Sequence, residues 1–195
     1  MKEKHGRCDY CLVLMPNVAL QTNIQPATGL GLLSAYLKQA GYQGQVLYAN
    51  LLFMQEFEFH LIKNIHDVPI MLGDWLFAHI LFPELDTAEN LTDYMRLLKM
   101  DLAAFSFINE DAFRLRMTEC RRKVAKYLDD LVDRVISLKP DMVGCGVTYS
   151  QHLPALAFMK KLKEKAPSIV TVMGGPIARG RRGQLPTGNF LLSIM

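Results

Sequence analysis

Tyr10–Met15, YCLVLM, is an unbroken apolar run closed by Pro16 and Asn17. Apolar at every position and only a few residues long, it predicts a strand buried on both faces, as in a parallel sheet. After the polar loop NVALQTNIQPAT comes GLGLLSAYLKQAGY, where Leu30, Leu33 and Leu37 recur at helical spacing and Gly41 offers a left-handed stop. QVLYANL, from Gln45, predicts a second strand, so the chain opens with a β-loop-α-β unit whose crossover is right-handed. From Leu52 to about Lys126 the pattern changes to long amphipathic stretches, GDWLFAHILF and LTDYMRLLKMDLAAF among them, which predict a helical insertion. YLDDLVDRVISLKP then sets Leu128, Leu131, Val132 and Val135 on one helix face and stops at Pro140. DMVGCGVTYS predicts a third strand, LPALAFMKKLKEKAP the helix behind it, and SIVTVMGG a fourth strand.

The expected fold is therefore α/β: a doubly wound, Rossmann-like, mainly parallel sheet of about four strands, with the insertion at about 52–126 between strands two and three. The stretch after Gly175, PIARGRRGQLPTGNFLLSIM, is too short for a further helix and strand. Residues 1–183 read as one domain and 184–195 as a short tail that looks truncated. A chain of 195 residues, half of them hydrophobic, has the material for one well-filled core. A formal charge of only +3, with no long basic run, argues against a nucleic-acid partner. The apolar region Ile70–Phe82 is interrupted by Asp74 and His79 and falls short of the ~20 residues that cross a bilayer, so it predicts a core helix and no membrane partner. The charged start MKEKHGRCDY does not resemble a signal peptide, and four sparse cysteines suit a reducing interior, so the expected location is cytoplasmic.

In an open parallel sheet, ligands sit beyond the carboxyl ends of the strands where strand order reverses. Three loops are expected to meet there: Pro16 to Gly29, Thr148 to Leu153 and Gly174 to Arg179. The first has neither GxGxxG nor GxxxxGK[ST], so the usual phosphate cradle is missing. The second offers the small hydroxyls of Thr148 and Ser150. The third begins with Gly174-Gly175, where backbone can run close along a ligand. Cys8-x-x-Cys11 is a lone pair, too few ligands for a zinc site or a cluster, and packing thiols are the expected reading. Of the five histidines, His5, His60, His66 and His79 fall away from these loops and His152 falls within one. Trp75, Phe77 and Phe82 have core spacing, and Arg179, Arg181 and Arg182 read as a solvated basic turn, with a phosphate or peptide contact as the alternative.

The loop order resembles the cobalamin-binding domain, whose third-strand loop carries Ser and Thr near the dimethylbenzimidazole tail and whose fourth strand ends in Gly-Gly. More broadly, PATGLGLLSAYLKQAGY, GDWLFAHILF, VGCGVTYSQHLPALAFMKKLKE and VTVMGGPIARGRRG resemble the N-terminal region of cobalamin-dependent radical SAM proteins. They are most similar to those that mature ribosomal peptides (RiPPs), some of them C-methyltransferases. The resemblance implies a cofactor-binding set of Pro16, Asn17, Thr148, Tyr149, Ser150, Gln151, His152, Gly174, Gly175 and Pro176. It also implies base-off cobalamin with no protein histidine on cobalt, because the Asp-x-His-x-x-Gly motif is absent, and Gly146 stands where a hydroxyl often sits. His152 is expected to line the tail pocket.

The chain has no Cys-x-x-x-Cys-x-x-Cys. SAM and a [4Fe-4S] cluster would then belong to a missing or separate catalytic domain, and this chain would hold no catalytic or metal-ligating residue and would not be active alone. Its expected partners are cobalamin, a radical SAM catalytic domain and a ribosomal precursor peptide. Two other readings stay open: a non-catalytic Rossmann-like interaction module that docks a peptide or enzyme without cofactor, and a nucleotide-dependent enzyme with a degenerate first loop.

Overall fold

The computed structural model describes residues 8–17, 27–57, 72–101, 110–148 and 150–175. In chain order the elements are β1 (Cys8–Leu14), α1 (Thr28–Gln39), β2 (Gly44–Tyr48), α2 (Ala49–Glu56), α3 (Leu72–Leu81), a 3-10 turn at Pro83–Leu85, α4 (Ala88–Asp101), α5 (Glu110–Ser137), β3 (Pro140–Gly146), α6 (His152–Lys165) and β4 (Val170–Gly174). The four strands pair in parallel in the order β2-β1-β3-β4. The expected doubly wound, Rossmann-like parallel sheet is what the chain forms. The winding runs outward from the middle: β1 crosses through α1 to β2 on one side, and β3 crosses through α6 to β4 on the other. Right-handed crossovers in opposite directions place those helices on opposite faces.

Strand alternation sorts the side chains accordingly. Cys11, Val13, Val143 and Cys145 point to one face, where they join Phe158 and Leu162 of α6, Leu128 and Val132 of α5 and Phe77 of α3 in the main core. Tyr10 and Leu12 point to the face that carries α1. There the Tyr10 hydroxyl lies 2.9 Å from Ser34 Oγ and donates to the Ser34 carbonyl at 3.1 Å. Burying a run apolar at every position on two covered faces is what the YCLVLM pattern requires.

An aromatic cluster fastens the insertion to the sheet layer. Phe53 stacks on Phe57 with centroids 4.1 Å apart and meets Tyr127 edge-on at 5.2 Å. The Tyr127 hydroxyl, buried between α5 and α2, donates to the Ala49 carbonyl at 2.7 Å. Among the described residues no helix is long and apolar enough to cross a membrane.

Several boundaries differ from the sequence expectation. The second strand ends at Tyr48 and the chain turns helical at Ala49, earlier than Leu52, because Ala49 and Phe53 are drawn under α5. The insertion has no edge at Lys126, since α5 continues from Glu110 through Ser137 and carries the expected buried face Leu128, Leu131, Val132 and Val135. In α1 the expected Leu30-Leu33-Leu37 stripe is only partly covered. Leu33 is 46% exposed, and the residue driven inward is Ser34, which the Tyr10 hydroxyl satisfies. Gly41 does adopt the left-handed backbone of a helix stop, at φ 89°. The tail 184–195 and Arg179, Arg181 and Arg182 lie outside the described residues.

Candidate functional site

Register brings the carboxyl ends of three strands level: Leu14 pairs with Gly146, and Gly146 with Gly174. Met15, Val147 and Gly175 therefore begin their loops side by side at the switch point between β1 and β3. The ladder extends one step further on the β4 side, where Val147 N–H donates to the Gly174 carbonyl at 2.8 Å. Gly175 then turns at φ 133°, and a Cβ there would fall 2.0 Å from the Val147 carbonyl oxygen. Only glycine permits that backbone approach.

On the β1 side the join is made by a side chain. Gln151, 4% exposed, donates from Nε2 to the Met15 carbonyl at 2.5 Å. Its Oε1 accepts from Thr148 N–H at 2.9 Å and from Thr148 Oγ1 at 2.7 Å. One buried amide thus ties the end of β1 to the loop after β3. Between them, Ser150 is held at φ 58°, a left-handed backbone that a residue with a Cβ seldom adopts. It is 2% exposed, and its Oγ has no hydrogen-bond partner among the described residues. A buried hydroxyl left unpaired on a strained backbone is costly twice over, and such outliers gather at functional sites.

Thr148 is exposed, Pro16 is buried and Asn17 half-buried. His152 is the first residue of α6, half-buried at the helix entrance and not in the loop as expected. Tyr149 and Pro176 lie outside the described residues. Over Gly146 the space is taken: a Cβ there would come 2.9 Å from a Leu30 methyl of α1. The loop residues described at this edge, 14–17, 146–148, 150–151 and 174–175, carry no charged side chain. That suits a neutral hydrogen-bonding ligand surface better than a phosphate.

One participant gave no sequence signal of its role. Asp74, in the Gly-Asp-Trp-Leu-Phe-Ala segment of α3, accepts the Leu153 N–H at 3.1 Å and so caps the entrance of α6 from another helix. Burial raises its carboxyl above the usual range, against the opposing pull of that amide and of His152. The helical insertion thereby holds the candidate site in place.

The cysteines are spread over the sheet and α5. Cys8 and Cys11 both lie within β1, three residues apart, so the strand's alternation sends them to opposite faces. Cys11 faces the core, where burial, and secondarily the nearby Cys8, push its thiol up to about 12. Burial first, then Cys11, raises Cys145 further still. Among the described residues no group of three or more His, Cys, Asp or Glu side chains assembles as a metal site.

Fold and edge together define a parallel α/β protein of Rossmann-like architecture with a neutral, hydroxyl- and glycine-lined switch point. No protein-family model, no curated protein and no solved structure matches this chain.

Proposed function

We propose that this chain is a cobalamin-holding module of a radical SAM peptide-modifying, C-methyltransferase-like system. It takes cobalamin base-off at the β1/β3 switch point and works beside a radical SAM domain and a ribosomal precursor peptide. The observation that carries the reading is Ser150: a buried hydroxyl, unpartnered among the described residues, on a left-handed backbone at the switch point. A neutral donor of that kind suits the ring nitrogen of an uncharged heteroaromatic base, and the uncharged edge around it suits the same ligand.

Ser150 would donate a hydrogen bond to the tail base, Thr148, whose hydroxyl proton goes to Gln151 Oε1, would line it, and the side-chain-free edge at Gly174 and Gly175 would lie along it. Gln151 keeps the loop after β3 registered on β1 through Met15, so the two hydroxyls stay fixed relative to the sheet. Leu30, now over Gly146, has to move aside for a tail to pass. When bound, cobalamin supplies methyl carriage between SAM and a substrate carbon, with SAM and the [4Fe-4S] cluster held by the other domain.

A second reading, a cofactor-free module that docks a peptide or partner enzyme, draws on Leu30 filling the space beside Gly146 and on the exposure of Leu32, Leu33 and Tyr36 along α1. One experiment separates the two. The purified chain is mixed with hydroxocobalamin, desalted, and its visible spectrum recorded. Stoichiometric corrin with a base-off spectrum, diminished in Ser150→Val, is the expected result. A folded but colourless protein refutes the cofactor reading and leaves the docking one.

A further inference from the structure

The helical layer forms a half-open cavity of about 550 Å³ away from the sheet edge, between α3, the start of α4 and α5. That is a usual size for a small-molecule pocket. We infer that it is a second ligand site, taking a small monocarboxylate with an apolar body.

The charge arrangement points to an anion. Arg121 of α5 reaches the cavity with a side chain only 7% exposed, its guanidinium 4.4 Å over the Trp75 ring. Its Nε lies 3.3 Å from Asp86 Oδ1, and the Asp86 side chain is 60% exposed. A buried guanidinium needs an anionic neighbour, and here a carboxylate comes from a largely solvated side chain that can turn outward. A ligand carboxylate can take that place and offer both oxygens to the planar fork. Arg122 adds a second cation to the lining. Thr87 and Ala88 bring the positive end of the 14-residue α4, where Thr87 Oγ1 accepts the Asn90 N–H at 3.0 Å. His79, also in the lining, has its pKa lowered, by burial first and by Arg121 next. It is therefore neutral near pH 7.

The remaining wall is apolar. Leu91 and Ala125 line it with Trp75, whose indole is braced by stacking on Tyr94 at 4.5 Å and by donating from Nε1 to Asn90 Oδ1 at 3.1 Å. A wall fixed in this way favours an organic body over a bare inorganic ion.

Trp75 is the only tryptophan in the chain, so its fluorescence reports on the cavity directly. The full-length chain is titrated with phenylacetate, with phenethylamine as the cationic analogue and inorganic phosphate as the bare anion. Expected are a saturable one-site change with phenylacetate, none with the other two, and weakening by about tenfold in Arg121→Gln. Asp86→Asn, which removes the competing carboxylate from an exposed position, is expected to tighten binding about three- to tenfold. Should Arg121→Gln fail to fold, Asp86→Asn still decides. No saturable response in either wild type or Asp86→Asn, an equal response to the amine or to phosphate, or unchanged or weaker binding in Asp86→Asn overturns the inference. Corrin retention at the sheet edge is measured separately, so the outcome here does not depend on it.

Discussion

Replacing Gln151 by alanine removes three hydrogen bonds at once, and their surroundings decide what each is worth. Thr148 is exposed, so water re-satisfies its N–H and hydroxyl and their loss costs only some tenths of a kcal/mol each. Met15 is fully buried, and its carbonyl loses the Nε2 donor, a cost of about 1–3 kcal/mol. Together Gln151→Ala is expected to lose about 2–3 kcal/mol. In urea, followed by Trp75 fluorescence and far-ultraviolet circular dichroism, that corresponds to a midpoint lower by roughly 1 M or more at the slope of a small domain. Gln151→Glu sharpens the test. The ionised carboxylate still accepts from Thr148 but sets an oxygen against the Met15 carbonyl, whereas the protonated acid can donate to it. Its deficit should therefore shrink as the pH falls from 7 toward the carboxyl range. An alanine variant within 0.5 kcal/mol of wild type, or a glutamate variant whose deficit does not change with pH, refutes the latch.

Asp74 titrates in the direction burial sets. Its folded pKa is raised, so the cost of ionising it is present at pH 7 and is relieved as the pH falls through the folded value toward about 4. Asp74→Asn keeps an acceptor for Leu153 N–H, should be at least as stable as wild type at pH 7, and should lose that advantage on acidification; paired urea curves at the two pH values check it. Tyr127→Phe removes the hydroxyl's bond to the Ala49 carbonyl and should lower unfolding free energy by about 1–2 kcal/mol without changing corrin retention. Thiol labelling of the native protein near pH 8, read by mass, should modify half-buried Cys8 slowly and leave the buried Cys11, Cys120 and Cys145 intact until denaturant is added. Fast native labelling of Cys145 would contradict its placement in the core.

Much of the architecture was legible along the chain. YCLVLM and DMVGCGVTYS mark the two central strands because strands covered on both faces are apolar runs of the right length, and QVLYANL and SIVTVMGG mark the shorter, partly exposed edge strands. The face Leu128-Leu131-Val132-Val135 marks the helix that covers them. Gly41 and Gly175 are where the backbone needs a positive φ, and the loop hydroxyls Thr148 and Ser150 do fall at the switch point. These are local properties: periodicity, run length and backbone freedom are set by neighbours in sequence.

Which polar groups meet was decided only by the packed structure. No spacing announces that Gln151 reaches Met15 across 136 positions, that Asp74 caps α6 across 79, or that Arg121 settles over Trp75. Nor does the sequence pattern show that Ser34 displaces Leu33 from the buried face of α1, a choice made by the Tyr10 hydroxyl on the opposing strand. A buried polar atom must find a partner wherever the fold places one, and that partner depends on sheet order and helix packing. The strands and helices of this protein are written in its local pattern, while its latch, its α6 cap and the cavity beside Arg121 and Trp75 exist only once those elements are assembled.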